Sequence, residues 1–296
     1  MVSYGGRHRR YREDQSVTAY NWYPGHMAKA KRAMVEDIKL IDVIVELVDA
    51  RAPLSTRNPD IENLGQGKGR VIVLNKADLA EDALTKEWIR HFEEDGLLAI
   101  SLNSKDKQGF QAVRKVIDEA AAKKRERDLK RGIKNRPVRL LVAGIPNVGK
   151  STFINSLCKR NIAKTGNKPG VTKGKQWISL GKGIDLMDTP GILWPRIEDS
   201  DSQIRLALIG SMNDEVINRD ELLSELVKLL KERAGGLMSE RFGIVPGDDE
   251  AGVLNKIAAR QSMIRSGGEN DTERAAGYLF TSYRSGALGR ITLEEP

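Results

Sequence analysis

The eight residues Gly144-Ile145-Pro146-Asn147-Val148-Gly149-Lys150-Ser151 have the types and spacing of a phosphate cradle. In a GxxxxGK[ST] loop the glycines let backbone N–H groups turn inward, and a helix beginning there adds positive potential. Lys150 is expected to reach the outer phosphates and Ser151 to ligate Mg²⁺, with Asn147, Val148, Gly149 and Thr152 completing the nucleotide contacts. Asp188-Thr189-Pro190-Gly191 follows an apolar run. It would set a carboxylate near the metal, Asp188 acting through a water, and the Gly191 N–H near the terminal phosphate. Asn75-Lys76-Ala77-Asp78 ends another apolar run. Guanine presents two adjacent donors, N1–H and the N2 amino group, and the Asp78 carboxylate is an acceptor pair suited to them. Adenine lacks that pair and would leave the carboxylate unsatisfied. Ser101-Leu102-Asn103-Ser104 follows a further apolar run, and Asn103 and Ser104 are expected to complete the base pocket.

Such loops need strands that end at them and helices that start at them. Met27, Ala30, Met34 and Ile38 recur at helical spacing; Ile41–Val48 and Arg70–Leu74 read as buried strands. Residues 82–95 read as a helix and Leu97–Ile100 as a short strand. Phe110, Val113, Val116, Ile117 and Ala120 mark a second helix. Val138–Ala143 is the strand that enters the phosphate loop, and Gly149–Leu157 the helix that leaves it. This alternation predicts an α/β fold with a parallel sheet covered on both faces. A hairpin is expected from Trp177–Leu180 and Ile184–Met187 around Gly181-Lys182-Gly183. Beyond Pro195–Asp201 the periodicity is helical only: Leu222, Leu223, Leu226 and Leu230, then Leu254, Ile257 and Ile264, then Ala275, Ala276, Leu279, Phe280 and Tyr283. The expected organisation is a basic extension over 1–20, a nucleotide-binding domain over 21–200 and a small all-α domain over 201–296.

The chain of 296 residues is 40% apolar and 30% charged, which excludes a disordered polymer. No run approaches the ~18 uncharged apolar residues of a membrane helix. The polar, Arg-rich first residues lack the apolar core of a secretory signal. The single cysteine, Cys158, excludes an intramolecular disulfide and any multi-cysteine metal site. A cytoplasmic location is the expectation. The net charge of +8 is unevenly spread, because residues 201–296 hold 12 basic against 16 acidic side chains. Residues 123–139 carry nine basic side chains, and residues 159–183 carry seven with no acid. Both segments suit a polyanionic partner such as RNA, although the first also suits a solvated helix end. On the acidic helical part, Lys256, Arg260, Arg265, Tyr283, Arg284 and Arg290 form a candidate local RNA face. Tyr278, Leu279, Phe280 and Tyr283 have the spacing of a buried stripe.

Together these motifs resemble the Ras-like GTP-binding domains, with their order shifted. Asn75–Asp78 and Ser101–Ser104 precede Gly144–Ser151, Thr172 and Asp188–Gly191, as in a circularly permuted GTPase. Asn21-Trp22-Tyr23-Pro24-Gly25-His26-Met27 and Asp49-Ala50-Arg51-Ala52-Pro53 resemble the YlqF/YawG family. The match runs from about Asn21 to Glu295. The resemblance implies a permuted Ras-like P-loop GTPase domain followed by a helical RNA- and ribosome-binding domain. It implies GTP and GDP as ligands and Mg²⁺ held by Ser151, Thr172 and Asp188, Thr172 only while the γ-phosphate is present. Catalytic roles would fall to His26, Lys150, Thr172 and Gly191. Ile192 stands where many GTPases place a water-orienting glutamine, and His26 is the polar side chain to replace it. Asn147 suggests a K⁺ ion offsetting charge at the phosphates. The expected partner is the large ribosomal subunit with its rRNA, bound by a monomer that engages neither DNA nor membrane. Two alternatives remain at this level: an RNA-binding assembly factor using GTP as a conformational lock, and a permuted GTPase acting on the small subunit.

Overall fold

The computed structural model describes residues 35–106, 108–158, 176–181, 183–188, 199–212 and 218–296. Strand β1 (Val43–Asp49) is buried along its whole length, as a central strand with helices on both faces must be. β2 (Gly69–Asn75) and β4 (Val138–Gly144) flank it in parallel. β3 (Leu98–Leu102) lies parallel beyond β2, and β6 (Ile184–Asp188) parallel beyond β4. β5 (Gln176–Ser179) closes that edge antiparallel to β6, giving the order β3-β2-β1-β4-β6-β5. The expected α/β sheet and hairpin are thus present, with ends shifted by one or two residues.

The helices of this part are α1 (Pro59–Leu64), α2 (Asp82–Glu94), α3 (Phe110–Ala120), α4 (Ala122–Lys130) and α5 (Lys150–Cys158). Alternate residues of β1 serve opposite faces. Val43, Val45 and Leu47 share a core with Val113 and Ile117 of α3 and with Phe153 and Leu157 of α5. On the other face Ile44 packs with Ile61 of α1, and Val48 with Trp88 and Phe92 of α2. Neither α1 nor α4 shows an apolar period. α1 is six residues held by the Asn58 side chain, which accepts from the Asp60 N–H, with a proline in its first turn. α4 has no buried residue and is the charged run itself.

The remaining helices are α6 (Ser200–Leu208), α7 (Arg219–Phe242), α8 (Glu250–Arg260) and α9 (Thr272–Ser285). Each starts on a side chain that accepts from its first turn: Asp199, Asn218, Asp249 and Asp271. α7 and α9 end on Gly243 and Gly286 in the left-handed region. α7 kinks at Ala234, beside the pair Gly235-Gly236. The stripe Leu279, Phe280 and Tyr283 is buried as expected. Ile264 corrects the expected third helical repeat: α8 stops at Arg260, Ser262 turns left-handed, and Ile264 is 59% exposed, bridged to Asn270.

One continuous apolar cluster contains Val45 and Leu47 of β1 together with Leu206, Leu226 and Leu279 of these helices. The polar centre of the same junction is a buried ion pair at the end of β1. Arg51 Nη2 and Nε donate to Asp49 Oδ2 and Oδ1 at 2.8 and 2.9 Å, and the side chains are 2% and 0% exposed. The fork's outer hydrogens face the carbonyls of Ile209 and Arg284, each at 3.4 Å, and the guanidinium lies 5.7 Å from the Tyr283 ring centre. Residues 290–294 then strap the two parts together. The Leu293 N–H donates to the Arg51 carbonyl at 2.7 Å, and the Ile291 N–H to the Leu79 carbonyl at 3.1 Å. The Glu294 carboxylate accepts from the N–H groups of Leu54 and Ser55, and the Trp88 indole N–H donates to its carbonyl.

Burial alone would push the Asp49 carboxyl up, but Arg51 and then Lys76 outweigh it and bring it down to about 2. Replacing Asp49 by Asn leaves two cations facing a neutral amide in a dry site. Asp49→Asn is therefore expected to lower the unfolding free energy by about 3 kcal/mol in urea titrations at neutral pH. The folded value lies below the ordinary 3.8, so this contribution is complete above about pH 4 and is lost as pH falls toward 2. Wild type and variant should converge in acid; a gap that stays constant down to about pH 2 contradicts this.

Candidate functional site

The order of strand addition reverses between the parallel strands β1 and β4, since the chain leaves β1 toward β2 and β3 and returns to β4 on the opposite side. Ligands of open α/β sheets bind beyond the carboxyl ends of the strands at such a point. β4 ends there at Gly144 and α5 begins at Lys150, anchored beneath by the fully buried Phe153, which lies 5.6 Å from Phe110 between ring centres. Gly144 (φ 152°) and Gly149 (φ 101°) take conformations that L side chains rarely adopt. A Cβ on Gly144 would stand 2.7 Å from the Leu47 carbonyl oxygen, and one on Gly149 2.4 Å from Asn75 Nδ2. Both glycines are therefore required by close approach as well as by φ.

Asn75, at the end of β2, holds the two halves of the site. Its Nδ2 donates to the Val148 carbonyl at 2.7 Å, and its Oδ1 accepts from the Ser104 N–H at 3.0 Å. The Ser104 carbonyl in turn accepts from Ser156 Oγ of α5 at 3.0 Å, and Asn103 Oδ1 accepts from the Lys105 N–H at 3.0 Å. Lys76 takes a left-handed conformation (φ 57°) that turns the chain into the single turn Ala77–Leu79, where Asp78 is exposed. Asp78 thus stands exposed in the turn that follows β2. Asn75–Asp78, Asn103–Ser104 and Asn147–Thr152 come together at one edge of the sheet.

Lys150 points into its own loop, where Nζ donates to the carbonyls of Gly144 and Ile145 at 2.7 and 2.6 Å. Burial pulls its pKa down to about 8. No carboxylate among the described residues pairs with it, so an anion is the partner this cation lacks. Ser151 and Thr152 are half-buried in the first turn of α5. Asn147 is exposed and left-handed (φ 59°), and its Nδ2 donates to the Gly210 carbonyl at 3.0 Å. The side chain expected at a K⁺ is therefore tied by its amide nitrogen to the segment after α6. β6 runs parallel beside β4 and ends at Asp188, on the phosphate-loop edge of the sheet. His26, Thr172 and Gly191 lie outside the described residues. Among the described residues the site fits the groups it is expected to hold: the Lys150 ammonium is buried with no carboxylate beside it, and the hydroxyl of Ser151 is a hard oxygen donor of the kind Mg²⁺ takes.

Two members of the candidate RNA face on the helical part are engaged inside the fold instead. Tyr283 is buried, and Arg284 donates to the carbonyls of Ala207 and Leu208. Lys256 pairs with Asp248, Arg265 with Asp271 and Glu273, and Arg290 with Asp82, while Arg260, Arg265 and Arg290 are all exposed. The carboxylates paired with Lys256 and Arg265 belong to the acidic helical part, and the one paired with Arg290 belongs to α2 across the junction. Within 123–139 the structure commits Lys124, Arg125, Lys130 and Arg136 to carboxylates and lays Arg139 over the Trp177 ring. Lys123, Arg127, Arg131 and Lys134 remain exposed on α4 and the turn after it. Asp49 and Arg51 enter the sequence reading only through the Asp49–Pro53 motif and with no role, although opposite charges two residues apart at the end of a mostly apolar run are a signal of a buried pair.

A family model described as "50S ribosome-binding GTPase" matches residues 139–235. Ribosome biogenesis GTPase A of Bacillus cereus is 43% identical over 277 residues, 93% of this chain and 93% of that protein. The protein of the same name from Thermotoga maritima is 34% identical over 93% of this chain and 94% of its own. Among solved structures, GNP-bound YlqF from T. maritima superposes with a TM-score of 0.64 at 30% identity, covering 90% of this chain and 98% of that one. GDP-bound YlqF gives 0.65 at 28% identity, with 90% and 99% covered.

The depressed Lys150 value has a consequence for binding. Phosphate oxygens at Lys150 must raise its pKa, so bound nucleotide holds a proton that the free site loses as pH climbs through about 8. Affinity for GDP is expected to fall as pH rises from about 7 to about 9, with proton uptake in calorimetric titrations run in two buffers. Lys150→Arg, which stays charged, should abolish the uptake. Equal uptake in that variant contradicts the assignment.

Proposed function

This chain belongs to the ribosome biogenesis GTPase A family, and from that premise we propose that it binds large ribosomal subunit precursors and couples GTP hydrolysis to a late step of their assembly. The family's permuted GTPase fold and its guanine-nucleotide chemistry are the firm ground. The observation that carries the reading at this site is the Asn75 bridge. One side chain fixes the phosphate loop through the Val148 carbonyl and the base loop through the Ser104 N–H. A nucleotide whose two ends are read by those loops is thereby held at a set span.

In this reading Asp78 selects guanine and Lys150 neutralises the β- and γ-phosphates. Backbone N–H groups of Asn147–Ser151 surround the phosphate oxygens, with Thr152 beside them. Ser151, Thr172 and Asp188 would hold Mg²⁺, Asp188 through water, and when bound the ion offsets charge on the phosphate oxygens. Gly191 donates its N–H toward the γ-phosphate, and His26 orients the attacking water where Ile192 has no polar group to offer. The Asn147 side chain is the K⁺ ligand of the same scheme. Since in-line attack depends on positioned water, turnover by the free protein is slow, and contact with the ribosomal particle completes the arrangement.

The RNA contact of this scheme is electrostatic. Lys123, Arg127, Arg131 and Lys134 form an exposed basic face on α4 and its turn, a surface suited to phosphate backbones. The large subunit is favoured as the particle by the description of the matched family model over residues 139–235. GTP hydrolysis measured alone, with large subunits, with small subunits and with free rRNA tests the proposal. Stimulation of at least about tenfold by large subunits only is the expected outcome. Equal stimulation by small subunits moves the partner to the other particle, and none by any of them removes the ribosomal coupling while leaving nucleotide binding intact.

A further inference from the structure

Asp49 receives two cations on one oxygen. Arg51 Nη2 and Lys76 Nζ both lie 2.8 Å from Asp49 Oδ2. Lys76 is the left-handed residue from which the Asp78 turn departs. The Arg51 guanidinium, in turn, is gripped from the helical side by the carbonyls of Ile209 and Arg284. The same turn is met by the helical part at two further points. The Ile291 N–H donates to the Leu79 carbonyl, and Gly286, the left-handed end of α9, comes so close that a Cβ there would stand 2.5 Å from Leu79 Cδ2. The turn carrying Asp78 therefore has one wall of sheet and one wall of helices, and Arg51 is the side chain that touches both.

We propose that Arg51 is a positioning residue for guanine discrimination, setting the Asp78 turn through Asp49 and Lys76 while docked on the helical carbonyls of Ile209 and Arg284. It does not touch the nucleotide in this scheme. Its planar fork is needed because one guanidinium must satisfy a carboxylate and two diverging carbonyls together, which a lysine ammonium on a single stem cannot do. Base discrimination and the docking of Arg51 on the helical carbonyls then form one linked equilibrium, so that whatever shifts the carbonyls of Ile209 and Arg284 away from Arg51 weakens the reading of the base. The inference rests on Asp78 being the guanine-reading carboxylate.

The full-length protein is titrated with GDP and with IDP, which lacks the N2 amino group. Wild type should favour GDP by about tenfold or more, and Asp78→Asn should erase the preference. Arg51→Lys should reduce the GDP-to-IDP ratio by at least about threefold. Phe242→Leu in the buried core of the helices lowers stability without contacting the turn, and should keep the wild-type ratio. Gly286→Ala presses on Leu79 from the helical side with Arg51 intact; it should reduce the ratio as well and carries the test if Arg51→Lys does not fold. A full ratio in Arg51→Lys or in Gly286→Ala, with the preference lost in Asp78→Asn, overturns the positioning role alone. A wild-type preference that survives Asp78→Asn overturns the base assignment and this inference together. A ratio lost in Phe242→Leu shows general loosening and also overturns it.

Discussion

The structure depends on one buried carboxylate and the two cations it holds. Asp49 sits at the end of the most buried strand, where a lone charge would be costly, and Arg51 and Lys76 make its ionised form stable. Once that pair is fixed, several other features follow. Arg51 has hydrogens left over, and helical carbonyls take them. Lys76 is turned into the left-handed region, so the chain leaves β2 as a tight turn with Asp78 at its face. Leu293 and Ile291 bond to backbone groups beside the same pair. A polar cluster thus fills the place where an apolar contact could hold the two parts together but could not fix their register.

The permuted order has a physical consequence at this junction. The strand that enters the phosphate loop, β4, comes after β2 and β3, whose ends carry the loops proposed to read the base, yet the sheet places it next to β1. Parallel strands are indifferent to the order in which the chain visits them, provided each crossover covers a face with a helix. What changes is where the chain goes next. After β6 it enters helices that pack on the same apolar cluster as β1 and reach the phosphate loop through Asn147 and Gly210. The helical part therefore touches the nucleotide site twice, at the phosphate loop and at the base turn.

Much of this was legible in the amino-acid order. The strands Val43–Asp49, Gly69–Asn75 and Val138–Gly144 announce themselves as apolar runs ending in polar loops, and the phosphate loop by its glycines. The stripe Leu279, Phe280 and Tyr283 is buried as its period implies. Other features were not legible, for identifiable reasons. α1 is too short to show a period, and α4 is a helix with no buried side. Arg284 reads as a surface cation, and only the folded chain brings the carbonyls of Ala207 and Leu208 to it from 77 and 76 residues away. The strap of residues 290–294 carries no motif, because its work is done by backbone groups and by the Glu294 carboxylate.

The central claim is that the helical part and the guanine site are held by one clasp. Hydrogen exchange at the Ile291 and Leu293 amides reads it most directly, since both donate across the junction, to the carbonyls of Leu79 and Arg51. The measurement compares the nucleotide-free protein with the protein saturated by GDP. Linkage requires that a ligand which orders the base turn also tightens the docking, so both amides should exchange more slowly with GDP bound. Exchange at Ile291 and Leu293 that is unchanged by saturating GDP would contradict the account.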